Sequence, residues 1–436
     1  MTTCSPENDA EPQRTACSPL VPILELKTRH PPSEMYQPGC ENRSVDFSPD
    51  GAWFAWSKGH GVVWVVPWPL DFEHGEKTEA DLGDKKFRCG ERVWGLAFGP
   101  RPPKSAAETQ PAKTPSKWND SLLLATGLHD GVIKIWNVLT GCAVFDLHGH
   151  SRVVRDLVFP QNGTLTLISC SRDRTLRIWD LAEKGKKVQV LSGHKDWISC
   201  CAVSPDCSMV ASVGQYDRMV CLWSLRSYTL IRNLNGEKSG EKHKTLCIFS
   251  SCDFSPDGAL LATTSLNYSD WWIDLWDPYT AEKLATLFGM FPGYGEPTYS
   301  AIKFSPSGLE LVMASEQLLY PMWKPEKRMV ISHMWIRPLY GPLCCSYHPS
   351  GGVVAAGTRT GNVSFFRVPS TVPSLRHLCR SVLRHSVSTY EIEALPLPKK
   401  LLKYLTYRNL CLGVHICYDA SEHLVNEISC SADFVK

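Results

Sequence analysis

Residues 154–180 read VRDLVFPQNGTLTLISCSRDRTLRIWD, and the pattern returns as ISCCAVSPDCSMVASVGQYDRMVCLWS at 198–224 and FSSCDFSPDGALLATTSLNYSDWWIDLWD at 249–277. Each unit offers an apolar strand, a Ser-Pro-Asp-Gly-like turn, a second strand of small residues, a polar turn carrying Asp, and a third strand ending in Trp. Working outward, the turn anchors fall at Phe47, Phe98, Phe159, Val203, Phe254, Phe304 and Tyr347. Strand-end anchors keep the same beat at Val66, Trp136, Trp179, Trp223, Trp276, Trp323 and Phe366. Repetition at this period is the signature of four-stranded blades arranged in a ring. The fold predicted for most of the chain is therefore all-β, a seven-bladed propeller.

Composition agrees and narrows the function. With 436 residues, 43% hydrophobic and 21% charged, the chain can bury a large core. A net charge of +2 offers no field that argues for nucleic acid or an anionic membrane. The start, MTTCSPENDAEPQRTACSPL, lacks a cationic stretch followed by an apolar core, and no run of about 18 apolar residues spans a bilayer. The expected setting is intracellular: the cytoplasm, with the nucleus also open to it. The 18 cysteines then read as small buried hydrophobes, without a disulfide framework. Metal spacing is poor everywhere; its sharpest cluster, Cys411, His415 and Cys417, reads more simply as free thiols in a loose tail. No cofactor motif is present: GEKSGEKHKT lacks the ending of a phosphate loop, and no nucleophile elbow occurs.

Gly-His pairs open the units at HGHSRVVRD and SGHKDWISC, and IWD or LWD closes them, with Asp130, Asp173, Asp217 and Asp270 each six residues before a Trp. In these residues the sequence resembles the WD-repeat family. The resemblance implies that His150, Ser171, Asp173 and Trp179 form a buried hydrogen-bonded network. His194, Asp217 and Trp223 match it in part, and Asp130 with Trp136 and Asp270 with Trp276 supply its turn-and-indole half. Polar atoms between strands must be satisfied, so His150–Asp173 and His194–Asp217 read as structural pairs and not as catalytic ones. Two units depart from the pattern. The fifth lacks Gly-His, and in the sixth Gln317 replaces the turn Asp while Pro321 removes an N–H from a strand.

After GNVSFFRV the chain turns to proline and no fourth strand follows, so LVPILELKT near residues 20–28 is expected to complete the last blade. The predicted layout is a disordered stretch at 1–18, the propeller at 19–369 with a disordered insertion at about 101–120, a helical appendage at 373–408, and a disordered tail at 409–436.

In the appendage, Leu375, Cys379 and Leu383 are spaced four apart and are widened by Leu378 and Val382 into one apolar stripe, with Ser374 placed to cap the helix. So short a helix needs a partner. Behind it, Ile392, Leu395, Pro396, Leu397, Pro398, Leu401, Tyr404 and Leu405 give a proline-kinked segment and then a second helix. Both halves, in this order, resemble the two boxes of a SOCS box. From about residue 20 to 408 the chain is similar to the WD repeat and SOCS box-containing proteins, and past Tyr407 the likeness stops.

That resemblance implies a seven-bladed WD-repeat propeller followed by a small all-α SOCS box, acting as a non-catalytic substrate receptor of a ubiquitin ligase. Leu375 would enter a pocket on elongin C with Cys379 alongside, flanked by Leu378, Val382 and Leu383. Ile392 to Leu405 would meet cullin-5 with its RING subunit. Elongin B would come with elongin C, and the propeller would hold a protein substrate. No cofactor, membrane or nucleic acid is implied. A propeller scaffold without ligase function is the alternative.

Overall fold

The computed structural model describes residues 22–27, 41–70, 76–78, 86–99, 122–186, 188–234, 248–266, 270–290, 300–315, 318–323, 342–368, 373–408 and 414–416. Residues 1–18, the 101–120 insertion and Gln317 lie outside these, as do the side chains of Cys411, His415 and Cys417.

Strands in the described residues form seven sheets in chain order, built from antiparallel neighbours except at two added edges, where Glu76–Thr78 runs parallel to Pro22–Lys27 and Val414–Ile416, within the tail expected to be disordered, runs parallel to Lys283–Met290. The third shows why. Val154–Val158 pairs with Thr166–Ser171, which pairs with Thr175–Asp180, which pairs with Val188–Ser192. Its apolar residues Leu167, Ile168, Leu176 and Trp179 are fully or almost fully buried, because both faces of a blade press on neighbouring sheets. The core is accordingly divided into seams between successive sheets. Ile168, Cys170 and Ile178 of the third sheet pack with Val210, Cys221 and Trp223 of the fourth.

The ring closes as expected: Pro22–Lys27 pairs antiparallel with Val363–Arg367, and Leu24 and Leu26 pack with Phe54, Trp56 and Phe365 in the seam of the first and last sheets.

The expected number of complete blades is corrected. Six sheets carry four strands or more, whereas Ser300–Phe304, Leu311–Ser315 and Leu318–Trp323 form a sheet of three among the described residues. Pro321 lies opposite Val312, where the register slips, and it has no N–H to offer a further strand.

Side chains also stitch one innermost strand to the next. The Phe98 N–H donates to Asp46 Oδ2 at 3.0 Å, Cys201 N–H to Asp156 Oδ2 at 3.1 Å, and Phe304 N–H to Asp253 Oδ2 at 2.8 Å. Burial raises the Asp46 carboxyl from 3.8 to about 6. Because the folded pKa is the higher one, this group favours folding fully below pH 4, and that contribution is lost as pH rises through 6. Asp46→Asn, which keeps an acceptor for Phe98, is therefore expected to stabilise by about 3 kcal/mol at pH 7.5 and by only about 1 kcal/mol at pH 4.5. Urea titrations of both proteins at the two pH values check this; an equal effect at both would contradict it.

The turns after the first strands require a left-handed residue. Gly51, Gly258 and Gly308 take φ +68°, and in the fourth sheet Cys207 occupies that place at φ +56°. A side chain is strained there, so Cys207→Gly is expected to raise stability by about 1 kcal/mol in chemical denaturation.

Candidate functional site

Within the blades, the predicted polar network is present with one change of member. Trp179 Nε1–H donates to Ser169 Oγ at 2.9 Å, Ser169 Oγ lies 2.7 Å from His150 Nε2, and His150 Nδ1 lies 2.7 Å from Asp173 Oδ2. These partners place the imidazole proton on Nδ1. Burial lowers the His150 pKa, and although burial opposes it, the His150 bond holds Asp173 below the ordinary carboxylate range.

The hydroxyl in the relay is Ser169, not Ser171. Ser171 sits nearer the turn, accepts from Asp173 N–H at 3.0 Å and donates to the Arg152 carbonyl at 3.1 Å. The fourth sheet repeats the relay in full through Ser212, with Trp223 Nε1 at 2.8 Å, His194 Nε2 at 2.8 Å, and His194 Nδ1 3.0 Å from Asp217. Trp136 and Trp276 donate to Thr126 and Thr263, both at 3.0 Å. Asp130 serves its turn through Val132 N–H, and Asp270 opens the strand Asp270–Trp276, its side chain lying outside the described residues.

Strand register, and no constant spacing in the sequence, marks these hydroxyls. In all four sheets the hydroxyl residue stands two places after the residue paired with the Trp: Leu124, Leu167, Val210 and Leu261 face the indoles. Gly149 and Gly193 precede the histidines because a Cβ there would lie 3.1 and 3.0 Å from the indole rings of Trp179 and Trp223.

Past the ring, α1 (Leu375–Ser386), α2 (Thr389–Glu393) and α3 (Lys399–Leu405) form the helical appendage. Ser374 caps α1, accepting from His377 N–H at 3.2 Å. Amphipathic helices ordinarily turn their apolar side inward, and α1 does the reverse. Leu375 is 77% exposed, Val382 70%, Leu378 46% and Leu383 43%, and Cys379 is exposed too. Its buried side is polar: His377, Arg380 and Arg384, spaced three and four apart, are each at most 4% exposed.

Those residues hold the helix against the ring. His377 Nε2 bonds the Ser307 carbonyl at 2.9 Å, and Arg384 Nη2 donates to Thr389 Oγ1, which donates to Asp277 Oδ2, both at 2.9 Å. Arg380 lies 3.8 Å from the Tyr407 ring and 4.4 Å from that of Tyr404. Tyr407 enters the seam between the fifth and sixth sheets, and its hydroxyl donates to Asp257 Oδ2 at 2.7 Å. Sequence reasoning missed His377, Arg380, Arg384, Thr389 and Tyr407.

The segment behind α1 divides. Ile392, Tyr404 and Leu405, expected as part of a binding surface, are buried and form the appendage's own core with Val387, Leu397 and Leu402 packed against it. Leu395, Pro396, Pro398 and Leu401 are exposed, while Leu397 is half-buried. Ser388 and Glu391 make the capping box of α2, and Pro398 is the N-cap of α3. Among the described residues no cluster of His, Cys, Asp and Glu could hold a metal, and no helix is long and apolar enough to cross a membrane.

The SOCS box family model matches residues 371–406, and that of the WD domain, G-beta repeat, matches 141–180, 185–224 and 237–277. The human WD repeat and SOCS box-containing protein 1 is 39% identical over 406 residues, 85% of this chain and 92% of that protein. The chain belongs to the WD repeat and SOCS box-containing proteins. The Xenopus tropicalis protein of the same name is 38% identical over 93% of this chain and 98% of its own. A nuclear distribution protein, nudF of Emericella nidulans, is 39% identical over 166 residues, 37% of this chain and 35% of its own. In this family member the SOCS box is fastened to the repeats by its polar side, so its apolar side stays available.

Proposed function

We propose that this protein is the substrate receptor of an intracellular elongin–cullin–SOCS-box ubiquitin ligase, with elongin C, and elongin B through it, on α1, and cullin-5 with its RING subunit on the segment from Leu395 to Leu401. The observation that carries the reading is the exposed ridge of Leu375, Leu378, Cys379, Val382 and Leu383 on a helix already anchored by its other side. Burying such side chains is worth roughly 1.5–3 kcal/mol each, a free energy that folding of this chain leaves unused. The receptor breaks and makes no bond itself. It raises the effective concentration of a substrate lysine near the ubiquitin-loaded enzyme. Within the family we read the motifs SRDRTLRIWDL, LWDPYT and SLRHLCR as nearer to protein 2 than to protein 1.

The cullin assignment has its own test. Leu395→Ala with Leu401→Ala should cost cullin-5 in affinity purification while elongin B and C are kept, since both leucines are exposed. Recovery of another cullin in its place, or undiminished cullin-5, would overturn that assignment.

A further inference from the structure

The fourth strand of a blade has a sheet neighbour on one side, so its length sets how many backbone N–H and C=O groups it presents at the rim of the ring. In the second, third and fourth sheets that strand is short: Ala143–Leu147, Val188–Ser192 and Leu230–Asn233. The fifth sheet ends instead on Lys283–Met290, eight residues reading KLATLFGM with a single charge. A long edge with so little charge is a template for another extended chain.

Here the template is used. Val414–Ile416 runs parallel to it, with Val414, His415 and Ile416 level with Leu287, Phe288 and Gly289. The closing sheet repeats the relation, since its fourth strand, Pro22–Lys27, carries Glu76–Thr78 in parallel. Among the fourth strands in the described residues, the two longest are the two that carry an added one. Val414 and Ile416 are β-branched, as an added strand prefers.

A side-chain contact, independent of that backbone pairing, sets the tail on the same path. Arg408, at the end of the SOCS box, pairs with Glu282 Oε2 at 2.8 Å and with Glu393 of α2. Glu282 stands immediately before Lys283. From Glu282 to Leu287 five steps of strand cover about 16 Å. The six chain steps from Arg408 to Val414 reach roughly 20 Å, so the box delivers its tail to the foot of this edge. A tether so short holds the tail there at an effective concentration on the order of 1 mM.

We propose that the outer edge of the fifth sheet is a strand-docking surface whose occupant is this chain's own tail. Val414–Ile416 closes the edge to other extended chains and ties the end of the SOCS box to the ring. This holds whatever α1 binds.

The test compares the full chain with a full-length variant carrying Val414→Pro, His415→Pro and Ile416→Pro, which removes every N–H of the added strand. The probe is a fluorescent peptide of residues 409–420 with both cysteines replaced by Ser, beside a scrambled peptide of the same composition. Hydrogen exchange across 283–290 should be at least tenfold faster in the variant, while Thr166–Ser171 and Met209–Gly214 exchange alike in both proteins. By anisotropy the peptide should bind the variant with a Kd of about 0.1 mM or tighter, and the parent at least tenfold more weakly because the tethered tail competes. The scrambled peptide should bind neither. Exchange unaltered by the prolines, equal binding to the two proteins, no binding to the variant, or equal binding of the scrambled peptide would overturn the proposal. Concentration-dependent self-association of the variant would give the edge to a second copy and would overturn it too.

Discussion

Replacing Leu375 and Cys379 together by Ala is expected to abolish capture of elongin C, lowering affinity by at least about a hundredfold, the range for a central apolar anchor. Both residues are exposed, so the variant should fold and melt as the parent does. Binding measured by titration calorimetry, with the thermal transition as control, separates the two effects. Retained affinity would mean that the ridge is not the docking surface, and the protein would then be read as a propeller scaffold.

Arg380→Ala should produce the other large effect, by releasing the box from the ring. The guanidinium of Arg380 is packed between Tyr404 and Tyr407 and bonds His377 Nδ1 at 3.1 Å. Removing it leaves a void beneath α1 and deprives the Tyr407–Asp257 bond of its neighbouring cation. A loss of about 3 kcal/mol in the docking of the box is expected. Hydrogen exchange across residues 375–405 should rise sharply while the blade strands keep their protection. A uniform rise throughout, or none, would contradict the role given to this arginine.

What could be read from the sequence follows a physical division. Periodic features were legible: the Trp-terminated strands, the turns, the closing strand Pro22–Lys27 and the cap and apolar stripe of α1 all announce themselves through local spacing. The relay hydroxyl was misplaced because Ser169 and Ser171 share one face of a strand, and only the cross-strand register, which pairs Trp179 with Leu167, decides which of the two the indole N–H reaches. The sixth sheet shows the limit of repeat counting, since its anchors Phe304 and Trp323 are present while a fourth strand is not found among the described residues. The orientation of Ile392, Tyr404 and Leu405 was beyond a linear motif, which marks apolar residues without saying which of them make the small core. Nor could helical spacing reveal that Arg380 and His377 face inward, because a buried arginine is legible only once the rings of Tyr404 and Tyr407 stand beside it.

Side-chain footprinting of α1 by hydroxyl radicals, in the free chain and after addition of elongin B/C, examines the central claim at its source. Leu375, Leu378, Val382 and Leu383 should be labelled in the free protein and protected in the complex, with Tyr407 protected in both. Protection of the four in the free chain, or labelling indifferent to elongin B/C, would contradict the claim that this ridge is completed by another protein.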